Sequence, residues 1–177
     1  MLPHIYVCPL SQLRRAAEVL RPSHVITLLD PDHTVETPEG IDPERHLRLG
    51  MHDVPVPRVD ATAPGEKDVA RIIDFVAGWD RRQPMLIHCW AGVSRSTAAA
   101  FITLCIFNES GRELALARHL RARAPHAQPN RLIVQHADRM LKREGRMIRA
   151  VELLGPAQVV WEGELFGLPL NPTFEAA

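Results

Sequence analysis

The chain has 177 residues, of which 46% are hydrophobic, enough apolar material for one domain with a buried core. This composition excludes a disordered or fibrous protein. The 21 basic and 21 acidic residues cancel, so the overall charge favours neither nucleic acid nor a membrane as a partner.

The cysteines and the first residues indicate the compartment. Cys8, Cys89 and Cys105 are odd in number and lack metal-ligand spacing, which suits a reducing environment and predicts no metal site. Residues 1–9 lack the basic leader and the cleavage site of a signal peptide. No apolar run approaches the roughly 20 residues that span a bilayer. We predict a cytoplasmic protein.

In the first third of the chain, strands alternate with a helix. Residues 5–7 are β-prone, and Ser11 is predicted to cap a helix that ends before Pro22. The apolar run at residues 25–29 predicts a buried strand. After a loop rich in Asp, Pro and Gly, the alternating apolar residues over 47–51 predict a half-buried strand.

The rest of the chain adds one strand and several helices. A short strand is predicted at residues 84–87, directly before Cys89. Helical spacing or composition predicts helices over residues 69–79, 97–107, 113–123 and from 130 to 154, the last with a break at Gly145.

Strands separated by helices predict an α/β fold. We expect a central, mostly parallel sheet of four to five strands with helices on both faces. The domain is predicted to cover residues 1–155. Residues 156–177 are too apolar for a solvated tail, so we expect this C-terminal extension to pack on the domain or on a partner.

A Cys-x5-Arg spacing occurs twice, and the context separates the two cases. Between Cys8 and Arg14 there is no glycine, and the arginine falls in a predicted amphipathic helix. Around Cys89, an apolar strand enters, Gly92 lies in mid-loop, serines flank Arg95 and a helix follows. We refer to residues 88–96 as the Cys89 loop and predict that it binds phosphate.

The residue types of the Cys89 loop suit phosphate chemistry. Backbone N–H groups between a strand and a helix N-terminus converge on an anion, and Gly92 permits the positive φ of a tight turn. The same donors stabilise a thiolate at Cys89, which is a competent nucleophile. Arg95 brings a planar fork that binds two phosphate oxygens at once.

The sequence His88-Cys89-Trp90-Ala91-Gly92-Val93-Ser94-Arg95-Ser96 resembles the signature loop of the protein tyrosine phosphatase superfamily. The best fit is to compact dual-specificity-like bacterial tyrosine phosphatases. The resemblance extends at the level of pattern over about four-fifths of the chain, from residue 5 through the helix after Asn130. It implies a cysteinyl-phosphate intermediate and neither a metal nor another cofactor.

The resemblance also implies an aspartate that protonates the leaving oxygen and later activates water. Asp53 follows the strand over 47–51 and precedes Val-Pro-Val-Pro, like the acid loops of compact members. Asp60 is closer to the usual separation from the nucleophile but lacks that local context. We favour Asp53, with Asp60 as the alternative.

Further roles are implied by position in the loop. His88 is expected to support the loop backbone, with a satisfied core histidine as the alternative. Ser96 is expected to assist departure of the thiolate, with a helix N-cap as the alternative. The residues expected to contact the phosphate or to line the pocket are Trp90, Ala91, Gly92, Val93, Ser94 and Arg95.

The function that these features predict is hydrolysis of phosphate monoesters on a phosphorylated protein or peptide, with phosphotyrosine favoured. One alternative is a catalytically weak relative that only binds phosphate. The other is a phosphatase for a phosphoinositide or inositol phosphate. Since the loop has no lysine and only Arg95 carries a charge, it favours a single phosphate over a polyanion.

Overall fold

The computed structural model describes residues 4–173, so the outer ends of the predicted regions, residues 1–3 and 174–177, lie outside the described residues. Within these described residues, five strands form one sheet in the order β3-β2-β4-β1-β5. Their bounds are β1 His4–Pro9, β2 His24–Leu29, β3 His46–Gly50, β4 Met85–Cys89 and β5 Phe166–Pro169. The first four are parallel and β5 runs antiparallel to β1, which confirms the predicted fold class.

Helices cover both faces of the sheet. Their bounds are α1 Leu13–Leu20, α2 Glu66–Ala77, α3 Arg95–Ile106, α4 Glu113–Arg123, α5 Arg131–Met140 and α6 Arg146–Leu153. The α1 helix shares one apolar cluster with one face of the sheet, and the other five helices share the larger cluster on the opposite face. None of the helices in residues 4–173 is long and apolar enough to cross a membrane.

The β4 strand and the α3 helix run through the centre of this core. All five residues of β4 are buried, and α3 is buried on nearly every side, as its composition predicts. The Cys89 loop joins the two, at the edge of the sheet where the parallel strands end. In open α/β sheets this edge is where ligands bind.

One local prediction is wrong and another is confirmed. Ser11 does not cap α1: it lies in a short 3-10 turn, Leu10–Gln12, and its hydroxyl donates to the carboxylate of Glu162 at 2.7 Å. The break predicted at Gly145 is confirmed, since the helical stretch from residue 130 forms two helices, α5 and α6. Gly145 separates them with φ +80°, a conformation that glycine adopts at little cost.

The C-terminal region returns to the sheet. Residues 166–169 form β5 on the outer edge of β1. Before that strand, the backbone N–H of Gly163 donates to the carbonyl of Ala91 in the Cys89 loop, at 2.8 Å. This region therefore contacts the candidate site, while the division of the chain at residue 155 stays a prediction.

Candidate active site

The backbone of the Cys89 loop uses its carbonyl groups for contacts with the rest of the protein and leaves N–H groups available to bind an anion. Its carbonyl groups accept hydrogen bonds from other parts of the chain: Trp90 from Leu10 at 3.0 Å, Ala91 from Gly163 at 2.8 Å, and Val93 from Gln128 at 2.9 Å. Within residues 4–173, the N–H groups of residues 91–94 have no protein acceptor. Such unsatisfied donors before a helix N-terminus form an anion-binding cradle.

Gly92 has the backbone conformation that the sequence predicts. Its φ is +69°, in the left-handed region. A Cβ at this position would lie 2.8 Å from the backbone nitrogen of Pro9 and 2.9 Å from the carbonyl carbon of Cys8. Because backbone atoms of β1 occupy that space, only glycine fits without displacing the loop or the strand.

Cys89 ends β4 and is only 2% exposed. Its Sγ lies 3.1 Å from the Oγ of Ser96, in the first turn of α3. Burial raises the pKa of Cys8 to about 12 and also raises that of Cys105, so these two remain thiols at neutral pH. Arg14, which matches Cys8 in spacing, has a side chain 94% exposed.

The Arg95 guanidinium is buried beside the loop, with the residue 3% exposed. Its Nη1 donates to the Asp30 carboxylate at 2.8 Å and to the Met51 carbonyl at 2.6 Å. Its Nε is buried without an acceptor among the described residues. A buried donor left unpaired costs about 1–3 kcal/mol, more when it is charged, so this atom fits an anion that binds in the loop.

Asp30 is a residue that the sequence did not single out. It directly follows β2, where an Asp-Pro-Asp segment predicts only a turn. Besides holding Arg95, its Oδ2 accepts a hydrogen bond from the Trp90 indole nitrogen at 3.2 Å. The only local signal was a carboxylate at the end of a strand.

The structure brings Asp53, not Asp60, to the loop. The Oδ1 atom of Asp53 accepts hydrogen bonds from the Ser94 hydroxyl at 2.6 Å and from the Asn130 side-chain amide at 2.8 Å. Its Oδ2 accepts no hydrogen bond within the described residues. Asp60 instead pairs with Arg58 at 2.7 Å, with 67% of its side chain exposed.

Asn130 holds the segment around Asp53 in two ways. Its side-chain nitrogen also donates to the Val54 carbonyl at 3.1 Å, while its oxygen caps α5. The contact with Asp53 joins residues 77 positions apart, which no local pattern reveals.

One groove of the described residues lies away from the Cys89 loop. It measures about 730 Å³ and lies between the end of α1 and residues 39–45. Its lining carries both acidic and basic side chains but no cysteine or histidine. We therefore place the candidate site at the Cys89 loop on the basis of its chemistry.

The sequence matches no family model and no curated protein. Solved structures do resemble the chain. DUSP15 matches with a TM-score of 0.57 at 20% identity, over 86% of this chain and 88% of that one. The chain has the fold of the dual-specificity phosphatases.

Two further structures support this fold. The Cydia pomonella PTP-2 phosphatase has a TM-score of 0.57 at 17% identity, over 75% of this chain and 83% of its own. The human tyrosine phosphatase-like serine/threonine/tyrosine-interacting protein has a TM-score of 0.56 at 20% identity, over 80% of this chain and 93% of its own. The predicted resemblance is confirmed at the level of the fold.

A chain of buried polar groups lies behind Cys89. His88 Nδ1 lies 3.4 Å from the Cys89 carbonyl, and its Nε2 lies 2.6 Å from the Thr27 hydroxyl. The same hydroxyl lies 2.8 Å from the Nε2 of His46. If His88 Nδ1 donates to the carbonyl, then Thr27 donates to His88 and accepts from His46, so every group on this path is satisfied.

Burial keeps both histidines neutral. It lowers the pKa of His88 to about 4, although the hydrogen bond to the Cys89 carbonyl opposes this shift. It also lowers the pKa of His46 to about 4, with smaller contributions from Arg48 and His88. His88 is fully buried, so its role as a support for the loop stays a prediction beside the alternative of a satisfied core histidine.

These two histidines should make the protein acid-sensitive. Their pKa values rise from about 4 to about 6.5 on unfolding, so below pH 6.5 the unfolded chain binds protons that the folded chain does not. Stability is therefore full above pH 6.5 and is lost as the pH falls towards 4, by about 3 kcal/mol for each ring. Denaturant unfolding at a series of pH values measures this loss.

His46→Gln is the matched variant for this measurement. Glutamine keeps an amide nitrogen near the position of the imidazole Nε2 but does not titrate. The variant should therefore lose clearly less stability between pH 6.5 and 4 than the native protein. Equal losses in the two proteins would show that His46 does not contribute.

Proposed function

We propose that the protein is a cysteine-dependent phosphatase that hydrolyses phosphate monoesters, with phosphotyrosine in proteins or peptides as the substrate. The observation that carries this proposal is the buried Nε of Arg95, which has no acceptor among the described residues and lies beside a loop of unsatisfied N–H groups. This pair of features fits a tetrahedral oxyanion. The proposal includes no metal and no other cofactor.

In the first step, the Cys89 thiolate attacks the phosphorus atom and the bond to the ester oxygen breaks. The N–H groups of residues 91–94 and the Arg95 fork hold the phosphoryl oxygens in the ground state and in the transition state. Asp53, through its free Oδ2, donates a proton to the leaving oxygen. The products are the free tyrosine hydroxyl and a cysteinyl-phosphate.

In the second step, water attacks the cysteinyl-phosphate. Asp53, now a carboxylate, accepts a proton from that water. The Ser96 hydroxyl, 3.1 Å from the sulfur, donates a hydrogen bond to Cys89 as the sulfur leaves as a thiolate. Inorganic phosphate is released and the starting protonation state of the site is restored.

The described site favours a phosphoprotein over the alternative substrates. Arg95 is the one charged side chain of the Cys89 loop, and its Nη1 is already engaged by Asp30 and Met51. An inositol polyphosphate or phosphoinositide needs further cations for its other phosphates. Trp90, 37% exposed beside the nucleophile, suits an aromatic group on the substrate.

A phosphate-binding module is the remaining alternative. One neighbour is named as an interacting protein that is phosphatase-like, and it resembles the chain about as closely as DUSP15 does. The fold therefore does not separate binding from catalysis. Catalysis is supported by the presence of Cys89, Arg95 and Asp53 around one loop.

A phosphate-release assay tests the proposal. The purified protein should release phosphate from p-nitrophenyl phosphate and from a phosphotyrosine peptide. Cys89→Ser should lower this activity by more than about 1,000-fold, because it removes the nucleophile. Cys105→Ala, a change at the other buried cysteine on the same side of the sheet, should leave the activity within a few-fold. Peptide binding without turnover by the native protein would instead favour the binding module.

A further inference from the structure

One carboxylate joins the two parts of the site that face the substrate. The Oδ1 atom of Asp30 accepts from Arg95, which binds the phosphate in the proposed mechanism, and its Oδ2 accepts from the Trp90 indole. Asp30 reaches both because it directly follows β2, and β2 is the direct neighbour of β4 in the sheet. Both of its oxygens are therefore used within the site.

The contact with Arg95 fixes the direction of the guanidinium. Nη1 is held from behind by Asp30 and by the Met51 carbonyl, at 2.8 and 2.6 Å. Because the guanidinium is planar and rigid, two acceptors on one nitrogen set the orientation of the opposite edge, which carries Nε. That edge is the one left without an acceptor. Asp30 thus orients the fork before the phosphate arrives.

The contact of Asp30 with Trp90 fixes this indole, which belongs to the residue directly after Cys89. The indole is held by Asp30 at Nε1 and by the His33 ring, which packs edge-on with centroids 4.7 Å apart. The His33 backbone N–H also donates to the Asp30 carbonyl at 3.0 Å, so one turn supplies both contacts. An indole held in this way presents a fixed apolar wall beside Cys89.

We propose that Asp30 is a positioning residue that couples the phosphate clamp, Arg95, to the aromatic wall, Trp90. The inference rests on the proposed function. Through this coupling, binding of the phosphate and recognition of the aryl group of the substrate depend on the same carboxylate. Asp30 would therefore contribute to the preference for aryl over alkyl phosphates.

A simpler role for Asp30 predicts the opposite result. If the carboxylate only neutralised Arg95, its removal would strengthen phosphate binding, because a negative charge beside an anion site opposes the anion. If it orients Arg95, its removal weakens binding. The sign of the change therefore separates the two roles.

The experiment measures the affinity for inorganic phosphate by tryptophan fluorescence. Asp30→Ala should weaken phosphate binding by about 10-fold or more, the loss expected when a hydrogen bond to a charged group is removed. Asp30→Asn keeps one oxygen that can accept from Arg95 but loses the oxygen that accepts from Trp90. Its phosphate affinity should therefore be close to that of the native protein and well above that of Asp30→Ala. The preference for an aryl over an alkyl phosphate should fall in both variants.

The fluorescence signal tests the coupling itself. Phosphate should change the emission of the native protein, and Trp90→Phe should abolish this change, which assigns it to Trp90. In Asp30→Ala, saturating phosphate should change the Trp90 emission much less than it does in the native protein. Asp80→Ala, which removes an exposed carboxylate paired with another arginine, is the charge control and should behave like the native protein.

Two results would overturn the inference: phosphate binding in Asp30→Ala that is as tight as in the native protein or tighter, or an undiminished Trp90 signal in that variant. Neither measurement needs turnover. A protein that binds phosphate as expected but hydrolyses no ester would therefore contradict the proposed function and leave the role of Asp30 standing.

Discussion

Arg95→Lys should lower kcat/KM for an aryl phosphate by about 1,000-fold or more, the size of effect seen when an arginine that stabilises a transferring phosphoryl group is lost. Lysine keeps the positive charge but has a single ammonium group in place of the planar fork. In the native site, Nη1 is already engaged by Asp30 and Met51, and the other edge is left for the phosphate. One ammonium group cannot serve both sides.

The loss should appear in kcat as well as in KM, because the fork is expected to bind the trigonal transition state better than the tetrahedral ground state. Arg14→Lys is the matched control, since Arg14 has the same spacing from a cysteine but lies exposed on α1, paired with Glu18. Steady-state kinetics of the two variants, with circular dichroism to check folding, measures the effect. A loss below 10-fold in Arg95→Lys would contradict the clamp role.

The sequence predicted the parts of the site that are local in the chain. The strand, the loop and the following helix are continuous, and Gly92 and Arg95 occupy fixed positions after Cys89. Periodicity and residue type carry that information because it depends on neighbours in sequence. The structure agrees with these predictions from β4 through α3.

The parts that the sequence missed depend on the order of the strands. Asp30 reaches Arg95 across 65 positions because β2 lies beside β4, and the pairing of Thr27 with His88 follows from the same arrangement. Hydrophobic patterns predict that strands exist but do not order them in a sheet. A carboxylate at the end of a strand therefore reads as a turn residue until its neighbour is known.

The choice between Asp53 and Asp60 shows the same limit. Both lie in one Pro-containing segment after β3, and each had one argument in its favour. Contacts from outside that segment distinguish them, since Ser94 and Asn130 hold Asp53 at the loop, whereas Asp60 pairs with Arg58. The role of Asp53 as the acid is a proposal that kinetics can test.

Asp53→Asn should lower kcat for a phosphotyrosine peptide by about 100- to 10,000-fold, the range for loss of a general acid. Asparagine keeps the oxygen that accepts from Ser94 and Asn130, so the acid loop should stay in place. It replaces Oδ2, the oxygen without a protein partner, by an amide that cannot donate a proton to the leaving group. The substitution thus removes the chemistry and retains the contacts.

The dependence on the leaving group makes this test specific. A leaving oxygen that is a weak base needs little help from an acid, so the loss in Asp53→Asn should shrink along a series of aryl phosphates as the leaving group improves. A variant that was merely misfolded would lose activity equally across the series. Asp60→Asn should retain the native dependence. If Asp60→Asn instead shows the graded loss and Asp53→Asn does not, the acid is Asp60, and the hydrogen bonds from Ser94 and Asn130 serve only to hold the loop.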